Sequence, residues 1–415
     1  MTSFFDILYR SCHSERSEES ILFHFNHLQR HGFFAPLRMT FFFDIILRSK
    51  KLIPLLILCF ITVSCIRTPL DNSPVQYLKA SPGDILVLCE GLQGYDNTSL
   101  TLIKSASGDV LKEYFKTSND GELLGDTGND IIRQGDTALI ALSTSSIIRL
   151  IRISDGRRIK EISLPENCMP RKLALLSNST ACVTCLLKSS VYIFNFKNDS
   201  ETFEIPVGPQ PEGIAVNGDM IFAANSAYGD FNYMHPDAAT VSIVSASSKK
   251  EIRKIKTGAN CSEVLISQKN NTFYAVYYDL PSQEDSTGGI IEFDLSNFNQ
   301  LRNWKIRARN INLSQTGDSL FFISQMPKGS SMSEESGVSC IDLNSGKSSM
   351  IIKNPNRFDI WYGLSVSPFD GSIWVSNAKN HINNGGILVF STNDFSRSSK
   401  QFDVMLNPNK VLFVR

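Results

Sequence analysis

The chain lacks a charge imbalance. Forty-one Lys and Arg stand against 41 Asp and Glu in 415 residues, so the basic excess that a nucleic-acid surface needs is missing. Histidine is scarce, six in all. Beyond residue 82 only His235 and His381 occur, far apart in the sequence, which argues against a shared metal centre. Long amphipathic helical patterns are rare, while Ser, Asn and Gly are plentiful, and this leans all-β. No apolar run is long enough to span a bilayer as a helix, which takes about 20 residues. Local catalytic signatures are missing too: no Ser-His-Asp order in a supporting context, no nucleophile elbow, no P-loop. What is present is an ordinary apolar content of 42%, enough for a sizeable core.

The N-terminal segment divides in three. Residues 1–38 and their surroundings, with "CHSERSEES" (12–20) and "PLRMT" (36–40), read as the translation of a dispersed genomic repeat, and Met39 is the better start. "RSKK" (48–51) and "LIPLLILCFITVS" (52–64) have the charge and length of a signal peptide, expected over 39–64. The run ends at Ser64-Cys65, which resembles the lipobox of bacterial lipoproteins. That resemblance implies diacylglyceryl attachment at Cys65. Residues 65–82, rich in turn formers, then form a lipid-anchored tether. Ile66 is not an acidic retention signal, so the outer membrane is expected, with the surface or periplasmic side left open.

Cysteine numbers nine. Six remain after Cys12, Cys59 and Cys65 are set aside, and their wide spacing is not that of a small disulfide framework. Export permits disulfides, but the pairing is not deducible. "CVTC" (182–185) lies in a strand-like run, where residues three apart face opposite ways. Buried thiols are expected there rather than a metal or redox site.

What dominates the chain is a repeat. A short strand, a tight polar turn and a second apolar strand recur, as in "PEGIAVNGDMIFAAN" (211–225), "SEVLISQKNNTFYAVYY" (262–278) and "LSVSPFDGSIWVSN" (364–377). The first-strand anchors are Ile131, Leu173, Ile214, Val264, Ile311, Leu364 and Val411. A period of roughly 40–50 residues with four strands per unit is that of propeller blades. Residues 83–115 supply three strands without a first, and 407–415 supply a first with nothing after it. Each end completes the other, which predicts an all-β seven-bladed propeller over 83–415. Alternation such as Val191-Tyr192-Ile193-Phe194 puts apolar side chains on both sheet faces, as a blade between two neighbours requires.

At "VGPQPEGIAVNGDMIFAANS" (207–226) and "ATVSIVSASSKKEIRKIKTG" (239–258) the chain resembles the YVTN-type, YncE-like seven-bladed propellers, nearest to an envelope lipoprotein branch of Bacteroidetes-like bacteria. The signature strand survives as "FAAN" (222–225) and "WVSN" (374–377). The resemblance implies the fold. It does not imply one function, although some members of that branch bind cobalamin.

Loop lengths are lopsided. The second-to-third-strand loops 89–99, 225–239, 277–289, 324–337 and 377–386 are long, and so are the joining segments 116–130 and 353–363. All fall on one propeller face, where function concentrates. Their ligand-binding candidates are Tyr95, Asn225, Tyr228, Asp230, Tyr233, His235, Tyr277, Trp361 and Asn377, a mix suited to a polar, ring-containing ligand or a protein loop. No cofactor or metal follows from these residues. A corrinoid enters only through the resemblance. Calcium enters only through "GDTGND" (125–130) and "QEDS" (283–286), which lack the full EF-hand spacing. The expectation is a non-catalytic, lipid-anchored propeller. It binds a small molecule or an envelope protein, touches the membrane through the anchor alone, and acts as a monomer or within a membrane complex. The alternatives are an envelope scaffold without a small ligand, or a propeller-type hydrolase or oxidoreductase.

Overall fold

A computed structural model describes residues 79–198, 202–227, 235–278, 288–324, 336–356, 358–395 and 397–415, with backbone alone at 397–399. Its described strands form seven four-stranded antiparallel sheets. Six blades are consecutive in sequence, their inner strands being Gly128–Gln134, Pro170–Leu175, Pro211–Asn217, Cys261–Ser267, Ala308–Leu313 and Trp361–Val366. Blade 1 is the exception. Its inner strand is the C-terminal Pro408–Phe413, paired with Ile85–Cys89 through Val87 opposite Val411. The ring is therefore closed by the chain's own two ends, and each inner strand packs beside the next. No helix among the described residues is long and apolar enough to cross a membrane.

Period-two alternation explains the core. In the blade 2 strand Thr137–Leu142, Ala138, Ile140 and Leu142 pack toward blade 1. Leu139 and Ala141 pack toward blade 3. In blade 3, Tyr192 and Phe194 join that same seam, while Val191 and Ile193 face blade 4. Each of the seven hydrophobic clusters fills one seam between neighbouring blades. No blade has a core of its own, so each depends on both neighbours.

Two local expectations need correction. The last strand of blade 1 spans only Val110–Leu111, and a short helix, Tyr114–Ser118, follows it. Tyr114 and Phe115 are adjacent yet both pack into the one seam between blades 1 and 2, which a strand, whose successive side chains face opposite ways, does not allow but a helical turn does. Tyr114 donates its hydroxyl to the Ile153 carbonyl of blade 2 at 2.9 Å. The second correction concerns cysteine. Cys182 is a buried thiol as expected, but Cys185 is disulfide-bonded to Cys168. The bond ties the segment entering the blade 3 inner strand to the end of its neighbour, where Pro170 pairs with Cys185.

Candidate functional site

Every inner strand starts at the long-loop face, and in every blade its pairing slips near that end. The register shifts fall between Gly128 and Asp130, Pro170 and Leu173, Pro211 and Ile214, Cys261 and Glu263, Arg309 and Asn312, and Trp361 and Gly363. In blade 1 the shift lies opposite Asn409. A bulge adds an unpaired residue and re-aims its side chain. Repeated seven times, it creates a collar at the channel mouth from the two residues before each apolar anchor. By blade these are Asn409-Lys410, Asn129-Asp130, Arg171-Lys172, Glu212-Gly213, Ser262-Glu263, Arg309-Asn310 and Tyr362-Gly363.

The collar is tied from blade to blade. Lys410 pairs with Asp130, a residue only 2% exposed at its side chain. Lys172 donates to the Asn129 carbonyl at 2.8 Å, and the Leu173 amide donates to Asp130 at 2.9 Å. Arg171 meets Glu212 at 3.0 Å. Glu263 accepts from the amides of Asn310 at 2.7 Å and Ile311 at 3.0 Å. Arg309 donates to the Trp361 carbonyl, and Tyr362 donates to the Glu90 carboxylate at 2.6 Å. Gly213 and Gly363 stand where the backbone of the next blade comes close. A Cβ at Gly213 would lie 2.7 Å from the Glu263 Cα, and one at Gly363 would lie 2.0 Å from the Asn409 carbonyl oxygen.

Enclosure shifts the protonation of these groups. Burial pushes the Glu263 carboxyl up, Glu212 adds to this, and the two amides with Lys172 oppose it without cancelling it. Burial pushes the Lys172 ammonium down, and Lys410 and Arg171 add to this against the pull of Asp130. Burial also opposes ionisation of Asp130, but Lys410 and Lys172 outweigh it and hold that carboxyl below its usual range. The phenol of Tyr278, at the mouth of blade 5, is pushed up by burial and by Glu263. That of Tyr362 is pushed up by burial and by Glu90, with Arg171 and Arg309 opposing. Residues from blades 3, 4, 5, 6 and 7 thus act on one another's ionisation around the channel mouth. In blade 6, Arg309 Nε and, beside it, Asn310 Oδ1 are buried with no hydrogen-bond partner in the protein. Enclosed groups whose protonation is pushed in opposite senses are what acid–base chemistry uses.

The loop residues expected at the site are placed differently from the collar. Asn225 is fully buried and donates to Thr240 and Ser242 at 2.7 and 2.9 Å. Tyr277 is 1% exposed, and its hydroxyl lies 2.8 Å from Lys305 Nζ. Trp361 packs against Phe390 in a seam. Asn377 donates to Asp359 at 2.7 Å. Tyr95 is 70% exposed, and His235 stands in an exposed turn, accepting from the Asp237 amide. Tyr228, Asp230, Tyr233 and Cys65 lie outside the described residues, as does 283–286. In 125–130, Asp126 accepts from the amides of Gly94 and Asp96 and Asp130 holds Lys410, so protein donors already use both carboxylates. Among the described residues no group of three or more His, Cys, Asp or Glu is placed to hold a metal ion. Sequence reading passed over the collar, although the signal was there. Polar residues precede all seven anchors already aligned by the repeat.

No family model and no curated protein sequence matches the chain. Its fold does have solved counterparts. A quinoprotein alcohol dehydrogenase-like protein of Bacteroides thetaiotaomicron is similar with a TM-score of 0.61 and 12% identity, over 80% of this chain and 79% of that one. A candidate 6-phosphogluconolactonase of Bacteroides fragilis gives 0.58 and 12%, over 80% and 98%. A periplasmic gluconolactonase of Pseudomonas aeruginosa gives 0.57 and 13%, over 80% and 99%. The chain is a seven-bladed propeller whose structural neighbours are of the 6-phosphogluconolactonase and quinoprotein-like type. At such identities the likeness shows the fold alone.

The expectation of a non-catalytic protein is corrected here. Structures that share this architecture along most of their length bear enzyme names, so the fold gives no ground for excluding catalysis. The missing motifs excluded only chemistry that is written locally in sequence. Titratable groups brought to one channel by seven separate strands leave no such motif.

Proposed function

We propose that this chain is a propeller-type hydrolase acting on a small polar ester, with a sugar-acid lactone as the leading substrate class. The collar is its site. The observation that carries this reading is the collar, where Glu263 on blade 5 and Lys172 on blade 3 have their protonation pushed up in one and down in the other. In the proposed reaction Glu263 takes a proton from water as the water oxygen attacks the lactone carbonyl. A carboxylate has lone pairs to spare beyond the two amides it already accepts. Lys172, with Arg171 and Arg309 nearby, faces the oxyanion that forms. The ring C–O bond then breaks, the ring oxygen takes up the proton, and a hydroxy acid is released. The gluconolactonase named above supports the substrate class as a starting point.

The same reading keeps the YVTN-type affinity of the repeats, without a corrinoid, and an outer-membrane anchor on Cys65. The test is hydrolysis of a panel of sugar-acid lactones, followed by acid release. Turnover by the wild-type chain that falls at least ~100-fold in Glu263→Gln supports the proposal. Absence of turnover across the panel, or full activity in Glu263→Gln, contradicts it.

A further inference from the structure

On the face remote from the collar, the seam between blades 5 and 6 opens into a slot of about 270 Å³. Its walls are short turns and strand ends. Asn270 and Thr272 come from the first hairpin of blade 5, Glu292 and Arg302 from the two outer strands of that blade, and Asp318 and Asn344 from two turns of blade 6. Glu292 is only 2% exposed. It accepts from the Tyr274 hydroxyl at 3.0 Å and from Arg302 Nε. Arg302 also donates through Nη1 to the Leu343 carbonyl of blade 6 at 2.8 Å, and its guanidinium lies 4.9 Å from the Trp304 ring. These contacts fix the group in place, and no described residue accepts from its remaining nitrogen, Nη2. Asp318 is fixed likewise. Lys269 holds one of its carboxylate oxygens and, at 2.8 Å, the Thr316 carbonyl. Asn270 donates to the Gly317 carbonyl at 3.1 Å. A carboxylate has about four lone-pair sites, so Asp318 can accept further hydrogen bonds.

We infer that this slot is a second binding site, for one neutral, hydroxyl-rich ring such as a single sugar unit. Charge argues for a neutral occupant. The slot sets two carboxylates, Glu292 and Asp318, against two cations, Arg302 and the Lys269 that pairs with Asp318. Each charge already has its partner, so an ionic ligand would have to displace one. The hydrogen-bonding groups argue for hydroxyls. A fixed donor on Arg302, a fixed acceptor on Asp318 and the exposed amide of Asn344 suit a ligand whose polar groups each donate and accept. Leu301 and Leu343 also line the slot and give the C–H face of such a ring an apolar contact. The volume lies just below the ~300–1,000 Å³ usual for drug-sized ligands, which suits one ring and not a chain of rings. Donor and acceptor are both held before the ligand arrives, which lowers the cost of ordering them on binding. The slot lies at the opposite end of the propeller from Glu263, and the inference does not depend on the lactone reading.

The test is titration of the full chain with D-glucose, D-galactose and D-mannose, followed by saturation-transfer NMR, with glucosamine and glucuronate as the cationic and anionic counterparts. Binding is assigned to the slot by its loss in Asp318→Ala and in Asn344→Ala. The Asp318 side chain is 47% exposed and Asn344 is exposed, so neither change opens the core, and thermal midpoints of both variants check this. The expected result is that at least one neutral sugar binds and that each variant weakens it at least ~5-fold. No binding of any neutral sugar overturns the inference. So does binding that survives both variants, which would place it elsewhere. Variant-sensitive binding that is tighter for glucosamine or glucuronate than for the neutral sugars also overturns it. Lactone hydrolysis reads the collar and sugar binding reads the slot, so the two proposals fail separately.

Discussion

At the scale of single residues, Glu263 is the group whose behaviour separates a structural collar from a working one. Its carboxyl is pushed up from 4.5, so the protonated form suits the fold. The stability that this lends is complete below 4.5 and is lost as pH rises through the folded value. Glutamine cannot titrate. The stability of wild type minus Glu263→Gln should therefore decline with rising pH above 4.5, by no more than about 1.4 kcal/mol per pH unit, and then level off. Urea denaturation of both proteins at several pH values checks this. A difference that rises with pH would mean that the two amide bonds dominate and the carboxyl is held low.

Among the secondary-structure elements, the loop entering blade 3 has a covalent fastening that the others lack. Cys168 and Cys185, 17 residues apart, close a loop that contains Arg171 and Lys172. Replacing both with serine should cost about 3 kcal/mol, chiefly by releasing the unfolded chain. The check is the denaturation midpoint of the double variant against wild type under oxidising conditions. Most elements were legible from sequence because anchors such as Ile214 and Leu364 fix a strand, and turns such as Asn217-Gly218-Asp219 fix where it reverses. The helix Tyr114–Ser118 was not legible. Its two adjacent buried aromatics fit the end of a strand equally well until the blade 2 seam decides which faces must be filled. The collar was hidden for a related reason. Asp130 and Lys410 are 280 residues apart, and only ring closure makes them neighbours.

For the whole molecule, closure is what stability and site have in common. The strand Pro408–Phe413 completes blade 1, fills the blade 7 seam with Val411 and delivers Lys410 to Asp130. Truncation before Pro408 should leave two blades with open seams and an unpaired buried carboxylate, and the ring should lose its cooperative unfolding. Calorimetry of the truncated chain checks this. A single sharp transition close to the wild-type temperature would show that blade 1 stands without its inner strand.

The claim on which the account turns is that the channel collar performs acid–base chemistry with Glu263 as the base. The most direct measurement is kcat/KM for lactone hydrolysis across pH, because it reports the ionisation of the free enzyme's essential groups. The account predicts an acid limb whose midpoint lies above 4.5, the ordinary value of a glutamate, and which is absent from the residual rate of Glu263→Gln. A limb at or below the ordinary carboxylate range, or one that persists unchanged in the variant, would contradict it.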